Sequence, residues 1–205
     1  MFHKPASYHP IGGASEKETE GLVTPYLTNV LLPQIHNGLE TQKPFSLTIS
    51  QEGINKTVAW WCSQETAGSE KTQLSSPAVL FVEDSLVLMS TVNFRGAEFV
   101  VSAEVSPVCT SEGKMNLIVQ KVKVGAVNIT IPTRIIAKKM YRQHLAEFGA
   151  DFNDIRAEIA ASLFNNQAFD PVFEIKNIVG TAQHKVRIKE VEVTKGKLQV
   201  RLEPL

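Results

Sequence analysis

The chain has 205 residues, 43% hydrophobic and 20% charged, with 21 basic and 21 acidic side chains and a formal net charge of zero. That balance is ordinary globular usage, which excludes wholesale disorder. It also leaves no whole-molecule field to gather nucleic acid or an anionic membrane, which lowers the weight of both as partners; nucleic acid is not expected, and proximity to a membrane stays open.

Residues 1–20 carry Pro5, Pro10, Gly12, Gly13 and a polar run from Ser15 to Glu20. They read as a flexible N-terminal arm, and 21–205 as one α+β domain. The arm has no apolar stretch after a basic start, so no signal peptide is visible. A chain that begins downstream of a removed leader or anchor fits the sequence equally well.

Leu22, Tyr26, Leu27, Val30, Leu31, Ile35 and Leu39 recur in steps of three and four, which predicts a helix over 21–40. Pro25 suits its first turn, whereas Pro33 should break or kink it. Phe45 to Ile49 alternates as a short strand. Ser50 is placed to cap a second helix, with Ile54, Val58, Trp61 and Cys62 on one face and Trp60 off it. Residues 63–77 read as a loop.

A run of strands follows, over 78–82, 86–95 and 98–106, the last ended by Pro107. The stretch from Met115 to Ile131 changes alternation phase twice. Met115, Leu117 and Val119 share one phase, Val122 and Val124 the other, and Val127, Ile129 and Ile131 return. A period-2 pattern changes phase only through an extra residue or a bend. The expectation is a long, strongly curved strand bent at Gly125, with a strand dry on both faces as the competing reading.

Pro132 should open a helix striped by Ile136, Met140, His144 and Phe148. A further helix from Asp151 or Asn153 shows Ile155, Ile159 and Leu163 as its apolar face. Strands over 172–177, 185–194 and 197–203 finish the chain. The middle one breaks phase between Val186/Ile188 and Val191/Val193, and Lys195-Gly196 suits a two-residue hairpin.

Strands follow strands directly, so pairing should be mostly antiparallel and the class α+β. The phase breaks suggest one strongly curved sheet wrapping amphipathic helices. Its concave side would be a closed core or a pocket for an apolar ligand. The candidate lining is Ile54, Val58, Trp61, Ile136 and Met140.

The stretch Pro44 to Asn55, the pair Gly113-Lys114 ahead of a strand, and Lys121-Val122-Lys123-Val124-Gly125 running into Ile131-Pro132 resemble a broad group of bacterial proteins. That group is membrane-anchored and faces outward from the cytoplasm. It is described as similar to tubular lipid-binding (TULIP-like) proteins, in which a curved sheet wraps a long helix. The resemblance spans about residues 44–145. It implies a half-barrel, an extracytoplasmic place near a membrane and a lipid or other apolar ligand, and it brings no catalytic residues.

No catalytic signature stands out. His3, His9, His36, His144 and His184 lack zinc-helix spacing, so no metal or cofactor is expected. Glu83 and Asp84 are neighbours in a turn, where carboxylates seldom converge on a substrate. Lys138, Lys139 and Arg142, and the alternating Lys185, Arg187 and Lys189, read as wet faces. Cys62 and Cys109 are compatible with one disulfide or with two separate buried thiols. Asn55-Lys56-Thr57 and Asn128-Ile129-Thr130 have the form of glycosylation sequons and carry no meaning alone. The sequence therefore points to a non-enzymatic binding domain for a lipid or apolar molecule, or else a protein-interaction module with a closed core.

Overall fold

The structure is a computed structural model. It describes residues 8, 10, 24–65, 74–94, 97–129, 155–176 and 183–205. Within them the fold is α+β, with two antiparallel sheets that do not close into barrels and three helices. The expected helix over 132–149, with Ile136 and Met140, lies outside the described residues.

The first sheet joins the two ends of the chain. Its order is β1 (Phe45–Ser50), β9 (Lys197–Pro204), β8 (Gln183–Thr194) and β7 (Val172–Lys176). A widened π-helical turn, Leu27–Leu31, leads into α1 (Leu32–Glu40) and packs on this sheet. Leu31, Leu47 and Leu202 form the centre of that core, with Ile35, Phe45, Phe173, Ile188 and Val200 around them. Of the break or kink expected at Pro33, the structure shows no break. The backbone ahead of it widens instead, and the Leu32 N–H reaches back five residues to the Leu27 carbonyl. A proline ring collides with the carbonyl four residues before it, and a wider turn relieves that collision.

The second sheet is a meander of β2 (Leu74–Val82), β3 (Ser85–Phe94), β4 (Ala97–Cys109), β5 (Met115–Val124) and β6 (Val127–Asn128). Tyr8, from the stretch expected as an arm, is buried against Ala78 and Met89 and hydrogen-bonds Thr91 Oγ1 at 2.8 Å. The strand expected over 115–131 is not continuous. Gly125 takes φ +58 and turns the chain, so Val127 pairs back against Val124.

The first phase break has a different cause, a bulge at Gln120. The register passes from Glu104↔Lys121 to Val105↔Val119 and leaves Gln120 unopposed. A second bulge at Lys189 lies between Ile188↔Leu202 and Glu190↔Arg201. Each bulge returns the apolar residues on both sides of it to one face.

Two prolines also behave differently from expectation. β2 begins before Pro77, which sits in a register shift between Ser75 and Ala78. β4 continues through Pro107 to Cys109. At Pro107 the missing N–H faces the side where β3 has already ended, so no ladder bond is lost.

Helix α2 (Gln51–Glu65) lies between the sheets, and Ser50 caps it by accepting from the Gly53 N–H at 3.1 Å. Helix α3 (Ile155–Asn165) docks on β5. The expected apolar stripe of α3 is not its buried side. Ile159 is exposed and Ser162 is fully buried. Ser162 Oγ accepts from the Leu117 N–H at 2.7 Å and donates to Asn116 Oδ1 at 2.9 Å.

Candidate functional site

The site grows from the way α2 meets its two neighbours. Among its described side chains, the buried positions are Gly53, Asn55, Thr57, Ala59 and Trp60. At 100° per residue these fall into two arcs, Gly53/Thr57/Trp60 and Asn55/Ala59. The second arc faces β2. Asn55 Oδ1 accepts from the Val79 N–H at 2.6 Å, and Asn55 Nδ2 donates to the Val79 carbonyl at 2.7 Å. One turn earlier, Gln51 Oε1 accepts from the Phe81 N–H at 2.8 Å. Two amide side chains four apart on a helix thus match two outward peptides two apart on a strand, and α2 completes the edge of β2. Asn55 is committed to this bond pair and buried, so its sequon is blocked in the folded chain.

The first arc faces the turn that precedes α1. Thr24 Oγ1 and Thr57 Oγ1 share a hydrogen bond of 3.1 Å, and Thr57 also donates to the Gly53 carbonyl at 3.1 Å. Tyr26 lies flat on Gly53, where a Cβ would overlap its ring. The Tyr26 hydroxyl accepts from the Ser50 N–H at 2.8 Å.

Between these two walls opens a cleft of about 440 Å³, lined by Pro25, Tyr26, Val30, Gly53, Lys56 and Trp60 among others. Trp60 forms its floor at 8% exposure, while Val30 stands at the rim at 42%. The polar rim is the Glu52–Lys56 ion pair, 2.8 Å. The Lys56 ammonium, by hydrogen bond and then by charge, holds the Glu52 carboxyl below its ordinary value.

Of the residues the sequence nominates, Ile54 and Val58 are half-buried on α2 and do not line this cleft. Trp61 is in α2, but its side chain lies outside the described residues, as do Ile136 and Met140 entirely. The cleft is lined by Trp60. The signal that would have found it is the Gly53-Thr57-Trp60 spacing. A glycine and a threonine at i and i+4 below a tryptophan mark a close helix contact, not a surface.

A second cleft, about 430 Å³, is lined by Pro44, Cys109, Thr110, Ser111, Lys189, Glu190, Arg201 and Glu203. Lys189 pairs with Glu203 at 2.9 Å and Arg201 lies 4.0 Å from Glu190. Cys109 is a free thiol, and burial pushes its pKa up; a hydrogen bond from the Val191 backbone opposes the shift and the Glu190 charge adds to it. Such a thiol stays protonated near neutral pH and is a poor nucleophile. The basic strand Lys185, Arg187, Lys189 is neutralised residue by residue, by Glu174, Asp170 and Glu203.

Among the described residues, no group of three His, Cys, Asp or Glu side chains could hold a metal ion. No helix among them is long and apolar enough to cross a membrane. Compared with protein-family models, curated proteins and solved structures, the chain matches none.

Proposed function

We propose that this chain is a non-enzymatic binding domain that takes a lipid chain or another small apolar molecule into the cleft floored by Trp60. The observation that carries this reading is the cleft itself. Its volume falls within the roughly 300–1,000 Å³ of ordinary ligand sites, its walls are mainly apolar, and one ion pair sits at its mouth. Trp60 brings a large aromatic surface to this lining. The finer architecture, a strongly curved half-barrel of the tubular lipid-binding kind, belongs to the same proposal. The bulges at Gln120 and Lys189 support it, since bulges bend strands and increase their twist. A membrane-proximal, extracytoplasmic setting rests on the sequence resemblance and is proposed with it.

The test uses the purified full chain with Trp61→Phe, so that fluorescence reports Trp60 alone. Titration with dodecanoate should shift and saturate the Trp60 emission, and Val30→Glu at the rim should abolish saturation without unfolding the protein. Native mass spectrometry should show an apolar molecule carried through purification. No saturable change up to millimolar probe, together with an empty mass spectrum, would sink the reading.

A further inference from the structure

Sheet edges expose unpaired peptide groups and invite other strands, so their treatment is informative. Two edge strands, and the stretch of β5 that the short β6 leaves unpaired, are covered by side chains from helices or the turn ahead of α1 and, at Met115, by the backbone of Phe169. On β1 the Thr48 N–H donates to Gln34 Oε1 at 3.0 Å and the Ser50 N–H to the Tyr26 hydroxyl. On β2 the partners are Asn55 and Gln51. On β5 the Leu117 N–H donates to Ser162 Oγ, and Met115 bonds Phe169 in both directions at 2.9 Å.

β7 is treated differently. The Ile188 N–H bonds the Pro171 carbonyl, and Phe173 and Ile175 oppose Val186 and His184. Antiparallel alternation therefore turns the peptide groups of 172, 174 and 176 away from β8. The Val172 N–H is satisfied locally by the Asp170 carbonyl. Among the described residues, nothing accepts from the Glu174 N–H or donates to its carbonyl, and the residue is exposed.

We infer that the β7 edge is a self-association surface, and that a second copy of this chain pairs with it antiparallel about a twofold axis at Ile175. The outward peptides allow only registers that oppose residues of 172, 174 and 176. A twofold at 175 sets residue 174 of each copy against residue 176 of the other, a glutamate against a lysine, twice. It also sets Ile175 against Ile175 on the side that carries Phe173 and the core. A twofold at 174 would instead oppose two glutamates. The strand's charge order is thus complementary to its own copy in one register and repulsive in the neighbouring one. The result is a continuous eight-stranded sheet across two protomers, joined by four backbone hydrogen bonds at the two opposed pairs. A five-residue contact is well short of the ~1,200 Å² of a standard interface, so the dimer is weak and concentration-dependent.

Sedimentation velocity on the full chain, from micromolar to several hundred micromolar, should show a monomer–dimer equilibrium. Glu174→Pro removes the outward N–H and spares every backbone bond to β8, losing only the exposed ion pair to Lys185, and it should leave a folded monomer. Glu174→Lys and Lys176→Glu each make both opposed pairs like-charged and should weaken the dimer by about tenfold or more. Mixing those two variants restores both pairs and should yield the heterodimer alone. A chain that stays monomeric throughout the range overturns the inference. So does a dimer, or a complex with another protein only, that is indifferent to both charge variants.

Discussion

At the residue scale, Gly53 shows how a position that looks unfavourable can be required. In a free helix glycine costs up to about 1 kcal/mol against alanine. Here the missing Cβ is the space that Tyr26 fills, and Tyr26 in turn holds the Ser50 N–H. Gly53→Ala should therefore destabilise the protein by about 1–3 kcal/mol, the cost of overpacking, where helix propensity alone forecasts a gain. Urea melts of the two proteins decide between these signs. Cys109 supplies a second residue-level prediction. Its thiol pKa is raised in the folded state by burial, so the folded chain holds its proton to higher pH than the unfolded chain does. Its contribution to stability is present below the unfolded thiol's pKa and is lost as pH rises from there through the folded value. With Cys62→Ala in the background, the pH profile of iodoacetamide labelling should have a higher midpoint in buffer than in denaturing urea.

At the scale of elements, the phase breaks were the most legible irregularity in the sequence, and their physical meaning is now specific. Omitting Lys189 from Val186–Val193 leaves uninterrupted apolar–polar alternation, and omitting Gln120 from Met115–Val124 puts Met115, Leu117, Val119, Val122 and Val124 in one phase, with Ile118 the one apolar residue in the other. Each bulge is a single polar residue inserted into an otherwise regular strand, which sequence reveals as a change of phase. Gly125 was ambiguous for a related reason. A bend and a hairpin turn both need a glycine after an apolar run, and only the pairing of Val127 with Val124 separates them. Deleting Lys189 should then be tolerated, with Val186, Ile188, Val191 and Val193 still facing the core. Deleting Glu192, three positions on, should not be, because it turns the buried Val193 to solvent and costs about 2 kcal/mol or more in transfer and repacking. Thermal melts of the two deletion variants provide the comparison, and equal damage from both would refute the bulge assignment.

At the scale of the molecule, alternation made the α+β class and the antiparallel meander legible, but not the division into two sheets. β1 pairs with β9, from the far end of the chain, and no local pattern announces a partner at that distance. The Trp60 cleft was hidden for the same reason, since the turn ahead of α1 and helix α2 meet only in three dimensions. The sheets are joined by the Asp84 N–H, which donates to the Val193 carbonyl at 2.9 Å, and by a closed ring of hydrogen bonds around the β8–β9 turn. The Gly196 N–H donates to the Phe81 carbonyl at 3.2 Å, the Gln51 N–H donates to the Gly196 carbonyl at 3.0 Å, and the Phe81 N–H returns to Gln51 Oε1. Two of the three links are backbone groups, so the Gln51 amide is the one that substitution can remove. Gln51→Ala strands the N–H of a residue that is 2% exposed, and the loss should be about 1–3 kcal/mol. Gln51→Glu keeps an acceptor at that position and should retain more of the stability. If the ring couples the sheets, Gln51→Ala lowers the urea midpoint in a single transition with an unchanged slope. Two separate transitions, followed by far-ultraviolet circular dichroism and by tryptophan fluorescence, would mean that the sheets unfold independently and that the coupling lies elsewhere.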